Sequence, residues 1–550
     1  MDETGAASSL LGETRYTLDG SAKPLSYFFS TILLIIFVYS LQGTKLNIPS
    51  INQKGRFELT DSRPKRNYLL NARKLMQQWF TANPNKPIQM TTDMGSTIVL
   101  PPSMANEIRN HSDLSFTAFS QEVRKDVLGC VSYYRRRKDT DNSLAQFFQT
   151  KYPGFDAFAE GGHDSITLVV INKDLTKQLV ITAKVTEPLA EEASLALLKI
   201  FTAEKEWHSI PMRATLLHFI ARISSRVFLG TELCRNEAWL EITKNYTLNG
   251  FTAGDRLREY PPFFRPIVHW FLPGCQEARR QIKAATKIIQ PIIDERKVLK
   301  AKAVAEGRPE PVYQDAIEWF EQASKSKGTA YDPALSQLFL STVAIHTTTD
   351  LLGQTLVDLA KHPEVIEELR KEVRSVLQEG GWKKTSLYSM KLLDSVVKES
   401  QRIKPLQLAS MQRIAIKDVT LSDGTFIPKG ANTAVSSHSQ WNAAVYPEPE
   451  KWDAYRFLRM REEPGKENVS QLVSTLPEHL GFGHGKHACP GRFFAANEIK
   501  IALVHILLQY EWRLPAGADT SITDYGVNPI LNPGLELEIR RRADEVDLTF

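Results

Sequence analysis

Cysteine is scarce in this 550-residue chain: there are only four, they lie far apart, and no two form a C-x-x-C pair. This argues against a disulfide-rich secreted scaffold and against a cysteine-type zinc site. An excess of one charge is also lacking, because 68 Lys and Arg against 63 Asp and Glu leave a net charge of only +5. We therefore expect no nucleic-acid partner. With 42% hydrophobic and 24% charged residues, the composition is that of a globular protein with an ample core.

A long segment near the start, from Pro24 to Thr44, has no charged residue and is mostly apolar. About 20 apolar residues span the hydrocarbon core of a bilayer as a helix. We therefore predict a short lumenal N-terminus at residues 1–24, a transmembrane anchor at 25–44 and a single catalytic domain at 45–550.

Basic residues such as Lys45, Lys54 and Arg56 follow this segment, which favours a cytoplasmic catalytic domain. The predicted location is the endoplasmic reticulum membrane, with a single pass. A cleaved signal peptide is the alternative, but signal peptides have a basic start and a shorter apolar core.

The pattern of the remaining chain predicts mainly helical structure with a minor β region. Asp332-Pro333, an N-cap followed by proline at the first helical position, predicts a helix that runs to about Lys361. Residues 190–300 predict successive helices with breaks near Gly230 and Gly250. Four further elements are expected: strand structure around Ile88–Leu100, a helix over Met390–Arg402, a β-hairpin over Val419–Val435 and a last helix after Gly491.

The stretch from Gly481 to Phe494, GFGHGKHACPGRFF, is the most informative part of the sequence. A cysteine after a glycine-rich turn and just before a helix lies in a field that favours thiolate. Backbone N–H groups that follow it can hydrogen-bond its sulfur. Gly483 and Gly485 permit the tight backbone that brings Cys489 beneath a flat cofactor, and Phe482 is placed to shield the sulfur from water.

The spacing Phe482-x-x-Gly485-x-x-x-Cys489-x-Gly491, with His487 two residues before the cysteine, resembles the haem-ligand signature of the cytochrome P-450 superfamily of haem-thiolate monooxygenases. The resemblance covers essentially the whole chain. It implies the P-450 fold, mainly α with a smaller β region, preceded here by the predicted transmembrane helix. It also implies haem b (iron protoporphyrin IX) as cofactor, Cys489 as axial iron ligand, Phe482 beside it, and dioxygen as co-substrate.

A second motif, Ala344-Ile-His-Thr-Thr-Thr349, lies in the long predicted helix and resembles the oxygen-activating motif of the same family. The resemblance makes Thr348 the catalytic threonine that helps to deliver protons. The chain departs from the motif twice. Ile345 occupies the position where the motif has a glycine, and Thr347 occupies the position where it has an acidic residue. What replaces that acid in proton delivery is left open. A helical threonine can also simply hydrogen-bond its own preceding turn.

Two sets of charged residues complete the resemblance. Glu399 and Arg402 lie three residues apart on one helix face. With Arg456 they match a buried structural cluster of the family. Buried charges of this kind are stable only when they pair with one another. Arg413 and His487 match positions that meet the haem propionates, which need cationic or donor partners.

Two competing interpretations remain. His346-x-x-x-Asp350 resembles an acyltransferase motif, but at about 100° per residue His346 lies roughly 200° from Thr348 on the helix. We therefore expect His346 and Asp350 to face away from any cofactor that Thr348 faces. The missing acid at Thr347 motivates the second alternative, a haem-thiolate isomerase, a peroxide-dependent enzyme or a haem-binding protein without turnover.

The chain has no dinucleotide-binding or P-loop fingerprint of its own. The resemblance therefore implies an external NADPH–cytochrome reductase, with cytochrome b5 as a further partner, docking where Lys486 and Arg492 supply positive charge. The substrate is expected to be a lipophilic small molecule.

Within the superfamily, the motifs are similar to those of fungal monooxygenases of the ent-kaurene-oxidase-like and indole-diterpene groups. This implies a terpenoid intermediate of secondary metabolism as substrate. Ala344, Ile345 and residues 528–533 are expected to line the apolar pocket. The stretch 123–150 is longer than the resemblance leads us to expect, and its role is left open.

Overall fold

The computed structural model describes residues 47–55, 58, 60–120, 185–258, 260, 264–328 and 331–542, together with the isolated positions 31, 170 and 171. The predicted anchor at 25–44, apart from position 31, and the long stretch at 123–150 lie outside these residues. Contacts divide the chain into two compact units, Met1–Asn47 and Ile48–Phe550, and every element below belongs to the second. Among the described helices, none combines the length and the apolar character needed to cross a bilayer.

Helices dominate this unit. In chain order they are α1 (Ser62–Ala82), α2 (Ala105–Ile108), α3 (Thr186–Ile200), α4 (Met212–Leu233), α5 (Glu237–Arg258), α6 (Arg265–Val268), α7 (Pro273–Ala305), α8 (Ala316–Lys327), α9 (Pro333–Lys361), α10 (Ile366–Gly380), α11 (Lys384–Ser389), α12 (Lys391–Ile403), α13 (Arg456–Glu462) and α14 (Arg492–Gln509).

The strands are short. They are β1 (Ser50–Ile51), β2 (Ile88–Thr92), β3 (Gly95–Leu100), β4 (Leu114–Ser115), β5 (His208–Pro211), β6 (Ala409–Ala415), β7 (Val419–Thr420), β8 (Phe426–Ile427), β9 (Asn432–Ser436), β10 (Tyr510–Arg513), β11 (Ile522–Tyr525), β12 (Asn528–Leu531) and β13 (Glu536–Arg541).

The largest sheet has the order β1-β2-β3-β9-β6-β4 and mixes parallel and antiparallel pairs. A second sheet has the order β10-β13-β5, and the pairs β11-β12 and β7-β8 stand apart. The architecture is thus mainly helical with a smaller β region, as the sequence predicts.

The long helix α9 forms the centre of the helical core. It packs against α4, α7, α12 and α14, and Leu338, Leu352 and Leu356 along it have no exposed surface. Asp332 caps its N-terminus, since the side chain accepts a hydrogen bond from Leu335 N. The predicted bounds of this helix are confirmed, because cap, proline and apolar run all favour the same start.

The predicted break at Gly250 is wrong, because α5 continues through it from Glu237 to Arg258. Glycine costs only about 1 kcal/mol in a helix interior, which packing against α7 and α9 can offset. At Gly230 the backbone does leave helical geometry, with φ of 77°.

The predicted hairpin is confirmed only over its first half. Val419 pairs with Ile427 in β7 and β8, whereas β9 leaves the hairpin and inserts between β3 and β6. β9 carries a continuous buried run from Thr433 to Ser436, which is typical of a strand inside a sheet.

Candidate active site

The loop before α14 holds Cys489 through a network of backbone hydrogen bonds. Cys489 N donates to Phe482 O at 2.8 Å, and Ala488 N donates to Gly485 O at 3.0 Å. Gly483 and Gly485 both have positive φ, at 68° and 80°, a region that glycine enters without steric cost. A Cβ on Gly485 would lie 2.5 Å from Arg109 Cβ. The glycines are therefore required for the path of this loop.

The sulfur of Cys489 lies at the N-terminal end of α14. Burial raises the pKa of the Cys489 thiol, while hydrogen bonds from the backbone of Gly491 and Arg492 and the Arg492 charge oppose that rise. These groups favour thiolate, and a bound metal ion would complete its stabilisation. Phe482 is partly buried and packs against the helical core.

Arg413 and His487 lie close together at the edge of this loop, with the Phe116 ring in contact with both. The ring centroids of Phe116 and His487 are 5.3 Å apart, and Arg413 Cζ lies 5.4 Å from the Phe116 centroid. Arg413 is only 2% exposed. Its Nη1 donates to Gln412 O at 2.7 Å, but its Nε has no hydrogen-bond partner among the described residues.

The electrostatics of this pair indicate an anion site. Burial lowers the pKa of Arg413 to about 10, which leaves the guanidinium charged at neutral pH. Burial, with the charges of Arg413 and Lys486, lowers the pKa of His487 to about 4, so the imidazole is neutral. A buried cation with an unused donor is costly unless an anion pairs with it.

Thr348 is 2% exposed in the middle of α9. Its neighbours use their hydroxyls on their own helix: Thr347 Oγ1 donates to Val343 O at 3.0 Å, and Thr349 Oγ1 donates to Ile345 O at 2.8 Å. The Thr348 hydroxyl instead lies near the Glu498 carboxyl and lowers its pKa, against the larger effect of burial. The hydroxyl predicted to be catalytic is therefore the one beside a titratable side chain.

His346 and Asp350 face different partners. His346 Nε2 lies 3.1 Å from Lys244 O, and burial lowers the pKa of His346 to about 4. Asp350 forms an ion pair with Lys404. The two side chains do not form the unit that the acyltransferase interpretation requires.

Glu399, Arg402 and Arg456 form a buried cluster. Glu399 and Arg402 have no exposed surface. Arg402 Nε and Nη2 each donate to a Glu399 carboxylate oxygen at 2.8 Å, and Arg456 Nε donates to both oxygens at 3.1 Å. Arg402 Nη1 also donates to Pro449 O at 2.8 Å, which joins α12 to the segment before α13.

Glu498 is the site residue that sequence reasoning missed. It lies in α14 nine positions after Cys489, has no exposed surface, and accepts a hydrogen bond from Ser224 Oγ at 2.5 Å. Its only signal in the sequence is a single acidic residue in the last helix, whose other residues from Phe494 to Leu508 are mostly apolar.

A sequence model described as cytochrome P450 matches residues 122–537. The chain belongs to the cytochrome P450 family. It is 48% identical over 513 residues to cytochrome P450 monooxygenase hepE of Aspergillus oryzae, covering 93% of this chain and 89% of that protein. It is 42% identical over 523 residues to cytochrome P450 monooxygenase TRI1 of Fusarium sporotrichioides, covering 95% and 90%.

One further relative is named for a monooxygenase reaction, and a solved structure shares the fold. The dihydromonacolin L monooxygenase mokC of Monascus pilosus is 38% identical over 528 residues, with 96% of this chain and 95% of that protein covered. The solved structure of retinoic acid-bound cyanobacterial CYP120A1 matches with a TM-score of 0.57 at 17% identity, over 86% of this chain and 96% of that one. This cytochrome P450 is therefore an oxygen-incorporating oxidoreductase. Its relatives include fungal P450 monooxygenases. The predicted family is confirmed.

Membership of the family implies a haem-iron cofactor, and the residues of this chain fit it. Cys489 offers a sulfur that its backbone neighbours favour as thiolate. The unused Nε of Arg413 is the donor that an anionic substituent of the cofactor requires. A cysteine sulfur and a buried guanidinium on one loop-and-sheet surface suit a flat iron cofactor with acidic side groups.

Proposed function

We propose that this P450 is a membrane-anchored haem-thiolate monooxygenase that oxidises a lipophilic small molecule, a terpenoid intermediate of fungal secondary metabolism. The observation that carries the proposal is the Cys489 loop, whose glycines and backbone hydrogen bonds hold a single sulfur at the start of α14. The named monooxygenase relatives support the reaction class.

When bound, haem supplies the activation of dioxygen, and the protein supplies orientation and protons. Cys489 would hold the haem iron through its sulfur, and Phe482 would keep water from that sulfur. Arg413 would hold a propionate by charge, and His487 would do so as a neutral hydrogen-bonding group, since its pKa is about 4.

Ala344 supports an apolar substrate site. It stands one turn before Thr348 on the same helix face and is partly exposed, so a substrate there would lie beside the threonine. Ile345 does not contribute, because it has no exposed surface and belongs to the core. One relative is named for a small-molecule substrate, dihydromonacolin L, while the terpenoid class rests on the subgroup resemblance of the motifs.

Electrons come from NADPH–cytochrome reductase, with cytochrome b5 as an additional donor. Lys486 is exposed beside the Cys489 loop, and Arg492 follows it at the start of α14. Both offer positive charge to an acidic partner surface, which accelerates association between proteins.

The anchor at residues 25–44 places the enzyme in the endoplasmic reticulum membrane with its catalytic domain in the cytoplasm. The full chain should remain in the membrane fraction after alkaline carbonate extraction, and a chain that lacks residues 1–44 should show weaker retention. Equal extraction of both chains would contradict the anchor.

Isotope labelling tests the reaction itself. Candidate terpenoid intermediates are supplied to a host that expresses the chain with a reductase, under ¹⁸O₂, and products are analysed by mass spectrometry. One labelled oxygen atom for each hydroxyl group introduced at a C–H bond supports monooxygenation. An unlabelled isomer supports the isomerase alternative, and label that enters only from H₂¹⁸O₂ supports a peroxide-dependent enzyme.

A further inference from the structure

Strand β6 contains one residue more than its partner β9 in the middle of the largest sheet. Ser410 lies opposite Val435, and Arg413 lies opposite Thr433. Three steps along β6 therefore correspond to two steps along β9. An extra residue of this kind is a β-bulge, which bends the strand and re-aims its side chains.

The bulge decides which face of the sheet carries Arg413. Side chains alternate between the two faces of a strand, so Thr433 and Val435 share one face. Residues directly opposite each other also share a face. Ser410 and Arg413 therefore lie on the same face, although residues three apart in a regular strand lie on opposite faces. Without the extra residue, Arg413 would point to the other side of the sheet.

The face shared by Ser410 and Arg413 is directed at the Cys489 loop. A Cβ on Gly483 in that loop would lie 3.8 Å from Ser410 Oγ. Arg413 Cζ lies 5.4 Å from the ring centroid of Phe116, which itself lies beside the loop. The bulge therefore places the Arg413 guanidinium on the side of the sheet where the proposed iron ligand lies.

Met411 supplies the backbone conformation of the bulge. Its φ is 54°, which lies in the left-handed region that glycine commonly occupies in bulges of this type. A residue with a Cβ adopts this region only at a cost in free energy, and it stays there only where the surrounding structure holds it. Met411 is 4% exposed, and burial of its apolar side chain opposes that strain.

Gln412, the next residue, connects the bulge to Arg413 directly. Its carbonyl oxygen accepts a hydrogen bond from Arg413 Nη1 at 2.7 Å. Its own Nε2 donates to Ala409 O at 3.2 Å. One nitrogen of the guanidinium is thus fixed on the bulge, whereas Arg413 Nε makes no hydrogen bond within the described part of the chain. The bulge therefore fixes both the direction of Arg413 and one of its donors.

We propose that Met411 is a positioning residue for Arg413, because it holds the bulge that directs the guanidinium at an acidic group of the cofactor. This inference rests on the proposed function, in which Arg413 would pair with a haem propionate. Met411 acts through Arg413 and contributes no group to the reaction. A merely structural Met411 would instead stabilise the fold through its buried side chain, whichever way Arg413 pointed.

Two variants of Met411 separate these roles. Met411→Ala and Met411→Gly both remove the buried side chain, but only alanine keeps the Cβ that strains a left-handed backbone. A positioning role predicts that Met411→Gly keeps the bulge and that Met411→Ala lets the strand relax. A packing role predicts the reverse order of damage, because glycine removes one carbon more and gives the unfolded chain more freedom.

The rate at which the full-length, haem-loaded chain loses haem to excess apomyoglobin measures the Arg413 contact without turnover. Met411→Ala and Arg413→Ala should each lose haem on the order of 10-fold faster than the wild type, and Met411→Gly should stay close to the wild-type rate. The double variant of Met411→Ala and Arg413→Ala should be no faster than Arg413→Ala, since both changes remove the same contact. With haem dimethyl ester, whose side groups carry no charge, Met411→Ala should match the wild type.

Met76 provides the matched control. It is also 4% exposed, but it lies in the helix α1. Met76→Gly should unfold at lower guanidinium chloride concentration than Met76→Ala, and both should lose haem at the wild-type rate. Met411→Ile decides the question if Met411→Ala does not fold: it keeps an apolar side chain, but its branched Cβ disfavours the left-handed region further, so its haem loss should be faster than that of the wild type.

Three results would overturn the positioning role alone, in a wild type that holds haem. They are haem loss from Met411→Gly as fast as from Met411→Ala, an additive effect in the double variant, and a difference between wild type and Met411→Ala that persists with the dimethyl ester. A wild type that takes up no haem would refute the proposed function and this inference with it.

Discussion

Glu399 and Glu498 are both glutamates without any exposed surface, yet their surroundings give them opposite chemistry. Glu399 accepts hydrogen bonds from two guanidinium groups, those of Arg402 and Arg456. Among the described residues, the groups that lower the pKa of Glu498 are the uncharged hydroxyls of Ser224 and Thr348. A buried carboxyl stays charged where nearby cations offset the cost of desolvation. It stays protonated where no cation does so.

The two glutamates therefore differ in role: Glu399 joins parts of the fold, whereas Glu498 is a titratable group. The Glu399 cluster fixes α12 to the segment around Pro449 through its ion pairs and the hydrogen bond from Arg402 Nη1 to Pro449 O. Glu498 lies near Thr348, and burial raises its pKa to about 8.

The largest effect is expected for Glu399→Gln. Removal of the carboxylate leaves the buried guanidinium groups of Arg402 and Arg456 without a counter-charge, which costs about 3–5 kcal/mol of unfolding free energy. Guanidinium chloride unfolding of the full chain measures it. Glu58→Gln is the control, because its pair with Arg63 is solvent-exposed, and it should leave the unfolding midpoint unchanged. Equal unfolding midpoints for Glu399→Gln and Glu58→Gln would contradict a stabilising role of the buried Glu399 cluster.

Glu498→Gln should change stability with pH. Burial raises the pKa of Glu498 to about 8 from its ordinary value of 4.5, so the folded state binds one more proton than the unfolded state between these two pH values. Folded stability therefore falls as pH rises from about 4.5, and the full cost, on the order of a few kcal/mol, is present above about pH 8. Glutamine does not ionise. The free energy of unfolding of Glu498→Gln, measured in urea, should therefore rise relative to that of the wild type as the pH increases from 6 to 9. Parallel stability curves would mean that Glu498 is already charged when folded.

The smallest effect is expected for Ser224→Ala. It removes the donor to Glu498 Oε1 and should cost about 1 kcal/mol. Since that hydroxyl lowers the pKa of Glu498, its loss should move the infrared titration of the carboxyl to higher pH. A move to lower pH would show that Ser224 accepts from the protonated acid instead.

Features set by local sequence were predictable. Asp332 and Pro333 mark the start of α9 because cap and proline act within one turn. The path of the Cys489 loop follows from Gly483 and Gly485, whose positive φ excludes most other residues. Glu399 and Arg402 pair because they lie three apart on one helix.

Features that depend on distant segments were not predictable. Three helices far apart in the chain contribute Ser224, Thr348 and Glu498. The sequence around each of these residues does not indicate which hydroxyl lies near the Glu498 carboxyl. The continuation of α5 through Gly250 and the insertion of β9 between β3 and β6 likewise depend on tertiary packing.

In the proposed function, the Cys489 thiolate holds the haem iron. The most direct measurement is the absorbance spectrum of the reduced, carbon monoxide-bound chain for the wild type, Cys489→Ser and Cys234→Ser, the last being a second free, buried cysteine. The wild type and Cys234→Ser should both show the red-shifted Soret band of thiolate ligation, and Cys489→Ser should lose it. A band that survives in Cys489→Ser would contradict the assignment.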